Sequence, residues 1–392
     1  MKKIAIFFVL VFCLSCADKG PEGIKIIVKN TLDFDRSFET IEISKAQLAS
    51  IKADAYKVID ETIGKEIISQ FTSYDGEEGV LLFQPEVFAN SEKSFRIIGM
   101  TSEEEKDSIE ISCYSRFVPE RTDDYAWENN KVAFRTFGPT AQKMKEDGVN
   151  GGTLSSGIDA WLKRVDYPII NRWYKKHTSG SGSYHEDTGE GLDNFHVGVS
   201  RGVGGTAVKV DKGYAVSKNF VNYKTLTNGP IRTRFVLEYG NWEANTESIK
   251  ETKTITLDYG QNLSHYLVEV SGTEFLSVGL TLHNKDGMTS TNKEEGWISY
   301  WEPYFDSELG QGIVVKNRQK VNGFDKYVTD EKDESNLFAQ LIVEGNLADY
   351  YAGFGWKKTG QFKSKDEWNT YLSRFSKCII TPVKVEFIKQ TK

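Results

Sequence analysis

Residues 183–205 read Ser-Tyr-His-Glu-Asp-Thr-Gly-Glu-Gly-Leu-Asp-Asn-Phe-His-Val-Gly-Val-Ser-Arg-Gly-Val-Gly-Gly. The stretch sets two of the chain's five histidines, four acids and Arg201 among six glycines. Glycine weakens strands and helices, and buried charge is costly, so this composition reads as an active loop rather than a core element. Imidazole titrates near neutrality, which makes His185 and His196 candidate general acids or bases, with Tyr184 beside them. Glu186 and Asp187 are the residues a divalent cation would take, because carboxylates suit hard cations. The histidines lack the i, i+4 helix spacing of metalloprotease zinc sites. The same acids could cap turns instead. His177 to Ser183 form a polar Gly/Ser run before the loop, suited either to closing over a ligand or to plain connection.

Three further groups carry chemistry. Trp127, Glu128 and Asn129 precede a strand bearing Val132, Phe134 and Arg135; this is equipment for stacking a sugar and bonding its hydroxyls, unless Trp127 is a core anchor. Arg135, Arg164, Arg201, Arg232 and Arg234 offer guanidinium forks that match carboxylate or sulfate. Arg232 and Arg234 share one strand face with Val236 and Glu238, where they could equally be solvated. The aromatic clusters 297–304 and 350–356 read mainly as core, though the glycine-spaced run from Tyr351 to Trp356 could line a cleft, with Trp356 a binding candidate.

The elements that would position these residues are short period-two runs, including Ile24–Asn30, 38–43, 109–117, 231–239, 252–259, 266–270, 275–283 and 379–388. They predict antiparallel strands. Aromatics at 12% with 34 glycines and only 8 prolines fit an all-β fold, a large antiparallel β-sandwich. Two segments break the pattern. Ser156 to Asp159 resembles a capping box leading into Ile158, Trp161, Leu162 and Val165 at helical spacing up to Pro168, with Ile169, Trp173 and Tyr174 in a second short piece. Ser364 to Glu367 is a full capping box before Trp368, Tyr371, Leu372 and Phe375.

The chain opens with two lysines, an apolar run from Ile4 to Leu14, and Ser15-Cys16. This predicts a lipoprotein signal over 1–15, lipidation at Cys16, a linker over 16–22 and one domain over 23–392. An ordinary cleaved signal is the alternative. The run is too short to span a bilayer, which takes about 20 apolar residues. The expected location is the bacterial cell envelope, anchored in the outer membrane. Losing Lys2 and Lys3 moves the formal charge from −7 to −9, which argues against nucleic acid as a partner. Cys113 and Cys378 then remain, as one disulfide or two buried thiols. No P-loop, dinucleotide fingerprint or Gly-x-Ser-x-Gly elbow occurs, which argues against nucleotides and the common serine hydrolases.

Several of these runs together resemble a known family: Tyr125 to Asn129, Arg135 to Pro139, Ser156 to Arg164, Tyr184 to Leu192, Ser200 to Gly205 and Tyr351 to Trp356. It is a Bacteroidetes family long described only as a domain of unknown function, found in gene clusters that degrade acidic plant and algal polysaccharides. The resemblance implies a galactose-mutarotase-like supersandwich. Because marine members include an ulvan oligosaccharide dehydratase, it also implies removal of water from a non-reducing-end uronate of a sulfated oligosaccharide. That reaction takes the C5 proton, expels the C4 hydroxyl and requires the carboxylate to be neutralised. On this reading His185 is base or acid, Tyr184 or His196 is its counterpart, Arg201 or Arg135 grips the carboxylate, and Trp127, Glu128 and Asn129 hold the ring. No cofactor is required, although a divalent cation near His185 stays open. A lyase or epimerase of the same fold, or a non-catalytic glycan-binding lipoprotein, are the alternatives.

Overall fold

The computed structural model describes residues 23–74, 76–100 and 110–388; the signal segment and Cys16 lie outside them. A nine-stranded sheet forms the main wall. Its order is Phe220–Thr227, Arg232–Tyr239, Glu247–Asp258, Leu263–Ser271, Leu347–Trp356, Ser307–Val315, Trp297–Tyr304 and Met288–Asn292, with Trp242–Ala244 paired onto Glu247–Asp258. The pairs are antiparallel, as the alternating runs require. Two five-stranded sheets face this wall. One contains Val203–Lys209, Phe275–Thr281 and Asn336–Ile342; the other contains Tyr114–Val118, Asp124–Glu128, Ala133–Thr136 and Asp159–Lys163. Phe235, Leu237, Tyr266 and Tyr350 of the wall meet Val203, Val278 and Leu337 of the first sheet and Tyr125, Trp127 and Phe134 of the second in one continuous core. The protein is therefore a large antiparallel β-sandwich, and burial of these faces is its main source of stability.

Residues 24–99 build a separate apolar core around Ile26, Val28, Val58, Phe83, Phe95 and Ile97. The strand Lys384–Phe387 returns from the far end of the chain to pair with Ile24–Asn30, placing Val385 opposite Val28. Cys113 and Cys378 are both free thiols; Cys113 is buried and its Sγ donates to the Ile231 carbonyl at 3.1 Å.

Helix α1 spans Pro139–Glu146, α2 Ile170–Thr178 and α3 Lys365–Ile380. The helix expected over 158–165 is instead the strand Asp159–Lys163. Ile158, Ala160 and Leu162 enter the sandwich core while Trp161 enters a second apolar cluster on the opposite face. With both faces covered, the polar alternation that marks a strand disappears. The second short piece is present as α2. Helix α3 keeps half of its expected capping box: Ser364 accepts from the Glu367 N–H at 3.3 Å, but the Glu367 carboxylate takes the Lys363 N–H, at 2.8 Å, in place of that of Ser364. It lays Trp368 and Leu372 on Trp297, Trp301 and Val314, closing the outer face of the main wall. Ser364→Ala should lower unfolding free energy by about 1 kcal/mol, read as a shifted urea midpoint at unchanged slope.

Candidate active site

Three adjacent strands, Asp124–Glu128, Ala133–Thr136 and Asp159–Lys163, carry the site on their outer face. Their register sets Arg135 opposite Asp159 on one side and Ala126 on the other. Helix α2 and the first half of the 183–205 stretch cover this face, packing Ile170, Trp173, Tyr174 and Tyr184 on Trp161, Ala126 and Ala133. Glycine pins the stretch down: a Cβ at Gly191, whose φ is +105°, would lie 2.0 Å from the Leu162 carbonyl oxygen, and one at Gly202, φ +58°, 1.9 Å from that of Ile158. Only glycine allows that approach in that conformation.

Under this cover Arg135 is enclosed by acids. Its guanidinium lies 2.5 Å from Asp159, 3.0 Å from Asp193 and 3.7 Å from Asp124, and Asp124 also accepts from the Tyr174 hydroxyl at 3.0 Å. One cation cannot neutralise three buried carboxylates, so burial and mutual repulsion raise their pKa values. Burial, then Asp193, raises Asp159 to about 7 against the pull of Arg135. Burial raises Asp124 to about 6 and also raises Asp193.

Above the acids, the Tyr184 hydroxyl accepts from Arg121 Nε at 3.1 Å and from Arg135 Nη1 at 3.4 Å. The His177 ring stacks on Tyr184 at 4.2 Å, and His185 meets Tyr184 edge-on at 4.6 Å. Burial, then Arg121, holds His177 below the usual imidazole range, so it is neutral at neutral pH. His185 Nδ1 lies 2.5 Å from the Asp193 carbonyl oxygen. A carbonyl only accepts, so Nδ1 carries a proton and donates to it. More than half of the His185 side chain is exposed.

The structure thus brings together Tyr184, His185 and Arg135 from the expected set and adds Arg121, Asp124, Asp159, His177 and Asp193. Other expected residues lie elsewhere. Trp127 is wholly buried, bonded to Ser264 Oγ at 3.0 Å and packed on Phe134 and Phe235, so it anchors the core instead of stacking a sugar. Glu128 is also wholly buried; it binds Lys163 at 2.8 Å and accepts the N–H groups of Ile169 and Ile170 at the start of α2. Asn129 holds its own turn through the N–H groups of Lys131 and Val132 and the Asp258 and Gln261 carbonyls. Arg201 is 1% exposed, and its guanidinium donates to Ser156 Oγ and the Thr206 and Val199 carbonyls, so it braces the strand start.

Trp356 is 2% exposed within the core. Arg232 is bound by Asp258, Glu42 and Tyr74, while Arg234 stacks over Tyr74. Both arginines line a groove of about 710 Å³ bounded by the N-terminal unit and α3, which shares no lining residue with the His185 cluster. Asp187 is bound by Arg164 and by the N–H groups of Gly189 and Gly191, which hold it below the usual carboxylate range despite its partial burial. Glu186 is exposed. No group of three or more His, Cys, Asp or Glu among the described residues is arranged to hold a metal ion. His196 pairs with Asp333, Nε2 at 2.9 Å, and lines a cleft that does not include His185.

A family model described as a domain of unknown function, DUF4861, matches residues 28–385. A curated protein of Formosa agariphila, named Uncharacterized protein P7, is 53% identical over 390 residues, covering 97% of this chain and 98% of its own. Among solved structures, a glycosyl hydrolase family 38 protein from Enterococcus faecalis aligns over 95% of this chain at 12% identity with a TM-score of 0.47. An α-mannosidase from Enterococcus faecalis V583 aligns over 95% at 11% identity with a TM-score of 0.46. The chain spans about half the length of these two structures, 48% and 47%.

Proposed function

The chain belongs to the DUF4861 family, and from that premise we propose that it is a carbohydrate-active enzyme of the carbon–oxygen lyase class that removes water from a terminal uronate of an acidic, ulvan-type oligosaccharide. The observation that carries the reading is the pairing of an Nδ1-anchored, solvent-facing His185 with the Tyr184 phenol 4.6 Å away, ring to ring. Elimination needs a base on one atom and an acid on its neighbour; the His185 side chain is more than half exposed while Tyr184 is 2% exposed, so the pair supplies both once substrate entry uncovers the Tyr184 hydroxyl.

In the proposed reaction His185 Nε2 takes the C5 proton of the uronate, and the electron pair of that C–H bond forms the C4–C5 double bond. The C4 hydroxyl leaves with a proton from the Tyr184 phenol. The products are a 4,5-unsaturated uronate and one water, and the proton gained by His185 returns to Tyr184 through solvent. Charge developing on the Tyr184 oxygen is met by Arg121 and Arg135. Arg135 is already committed to three carboxylates, so neutralising the substrate carboxylate falls to Arg121. The lipid anchor at Cys16 remains part of this proposal and places the reaction at the cell envelope.

Incubation with uronate-terminated sulfated oligosaccharides should give a rising unsaturated-uronate absorbance and a product lighter by one water at unchanged chain length. Internal cleavage with no net loss of water would indicate a chain-cutting lyase, and unchanged mass an epimerase. Binding without any product would leave a glycan-binding lipoprotein.

A further inference from the structure

The second half of the 183–205 stretch faces a cleft that this reaction does not use. Its volume is about 700 Å³, and Asn194, His196, His283, Lys285, Phe305 and Asp333 are among its walls. Inside it, His283 Nδ1 lies 2.6 Å from Glu302 Oε1, and Glu302 is wholly buried and also accepts from Gln311 Nε2 at 3.0 Å. The carboxylate fixes the proton on Nδ1, as a carboxylate does for an imidazole it orients. His283 Nε2 has no protein partner although the side chain is only 10% exposed, and Asn194 Oδ1 is likewise unpartnered. Two unpartnered acceptors on residues that line one cleft suit a hydroxyl donor, either a water or the hydroxyl of a sugar.

Phe305 adds an aromatic platform. It is 77% exposed, in the two-residue turn joining Trp297–Tyr304 to Ser307–Val315, with φ at +51°. A bulky residue rarely adopts that conformation, and nothing in the turn's geometry calls for an aromatic. Nine non-glycine residues among the described residues have positive φ, and three of them, Lys285, Phe305 and Asp333, line this cleft. Such strain collects at ligand sites. The rim carries Asp330, Glu331 and Asp333 against Lys285 and Lys332, and Lys285 is bound to the Thr329 carbonyl. That balance disfavours sulfate or uronate.

We propose that this cleft is a subsite for an uncharged pyranose, its ring face on Phe305 and its hydroxyls donating to His283 Nε2 and Asn194 Oδ1. The proposal rests on the acidic-oligosaccharide reading only for which chain delivers that sugar. Consecutive carbonyls tie the two places together: that of Asp193 receives His185, and that of Asn194 receives the Tyr304 hydroxyl at 2.7 Å.

The test is titration of the full chain, wild type and Phe305→Gly, with xylotetraose, cellotetraose and mannotetraose, and with a uronate-terminated tetrasaccharide. Glycine suits the positive φ, so Phe305→Gly should fold at least as stably as wild type. The expected result is binding of at least one neutral probe that weakens about tenfold or more in Phe305→Gly and returns in Phe305→Trp. Neutral probes that do not bind, or bind equally to Phe305→Gly, overturn the subsite. Failure of the elimination reading is seen separately, as no unsaturated product from the uronate-terminated probe while neutral binding still depends on Phe305.

Discussion

His185→Ala is expected to lower kcat on a uronate-terminated oligosaccharide by about 10²–10⁴-fold, the range in which a positioned acid–base group contributes. KM should change far less, because the His185 ring sits at the solvent face and its removal disturbs no apolar core. The loss is specific to proton transfer, so His185→Gln, which keeps a polar group at the position, should fare little better. Tyr184→Phe is the partner test. Its ring keeps the packing on Trp161 and the stack on His177 while only the hydroxyl between Arg121 and Arg135 is lost. The double variant should be little worse than the poorer single one, since residues that act as a unit are not additive. Undiminished turnover in His185→Ala removes the base from the mechanism, and a loss confined to KM makes His185 a binding group.

The contrast between legible and illegible parts of this site follows from how each residue declares itself in sequence. The 183–205 stretch stood out because glycine and charge accumulate where no regular element tolerates them, and its glycines do pack against Leu162 and Ile158. Two of its charges, Asp193 and Arg201, are nevertheless buried, each with partners from distant segments. Asp124 and Asp159 gave no such signal. Asp159 is a lone acid in an apolar run and Asp124 one of two adjacent acids after Arg121, and what joins them is Arg135, which register sets opposite Asp159 and whose guanidinium lies 3.7 Å from Asp124. His283 and Glu302 are 19 residues apart and meet only through the fold. Trp127, Glu128 and Asn129 erred in the opposite direction. Residue types that suit sugar binding also suit a doubly covered strand, where one anchors a core and another caps α2. The outward Arg234 and inward Phe235 and Leu237 were legible because only one face of that strand is covered by core.

Arg135→Met should cost about 3–5 kcal/mol of folding free energy, because it removes one partner from a buried ionic cluster and leaves Asp124, Asp159 and Asp193 facing one another. Asp159→Asn in the same chain should recover part of that loss by removing one of the three acids, although either single change alone destabilises. The pH dependence has a definite sign. Asp159, faced by Asp193, Arg135 and His185, has its folded pKa raised from 3.8 to about 7, so between those values the native state binds more protons than the unfolded chain. Stability from this group is fully present below about pH 4 and is lost as pH rises through 7. Asp124, raised to about 6, adds in the same direction. Removing Arg135 takes away the attraction that opposes these shifts, so both acids should hold protons to still higher pH and the alkaline loss should steepen. Urea midpoints at pH 5 and pH 8 would show it: the gap between Arg135→Met and wild type should be wider at pH 8. A gap that is equal at both values would mean that the three acids do not share protons around Arg135, and that the site's floor is held by packing of Trp161, Tyr174 and Tyr184 alone.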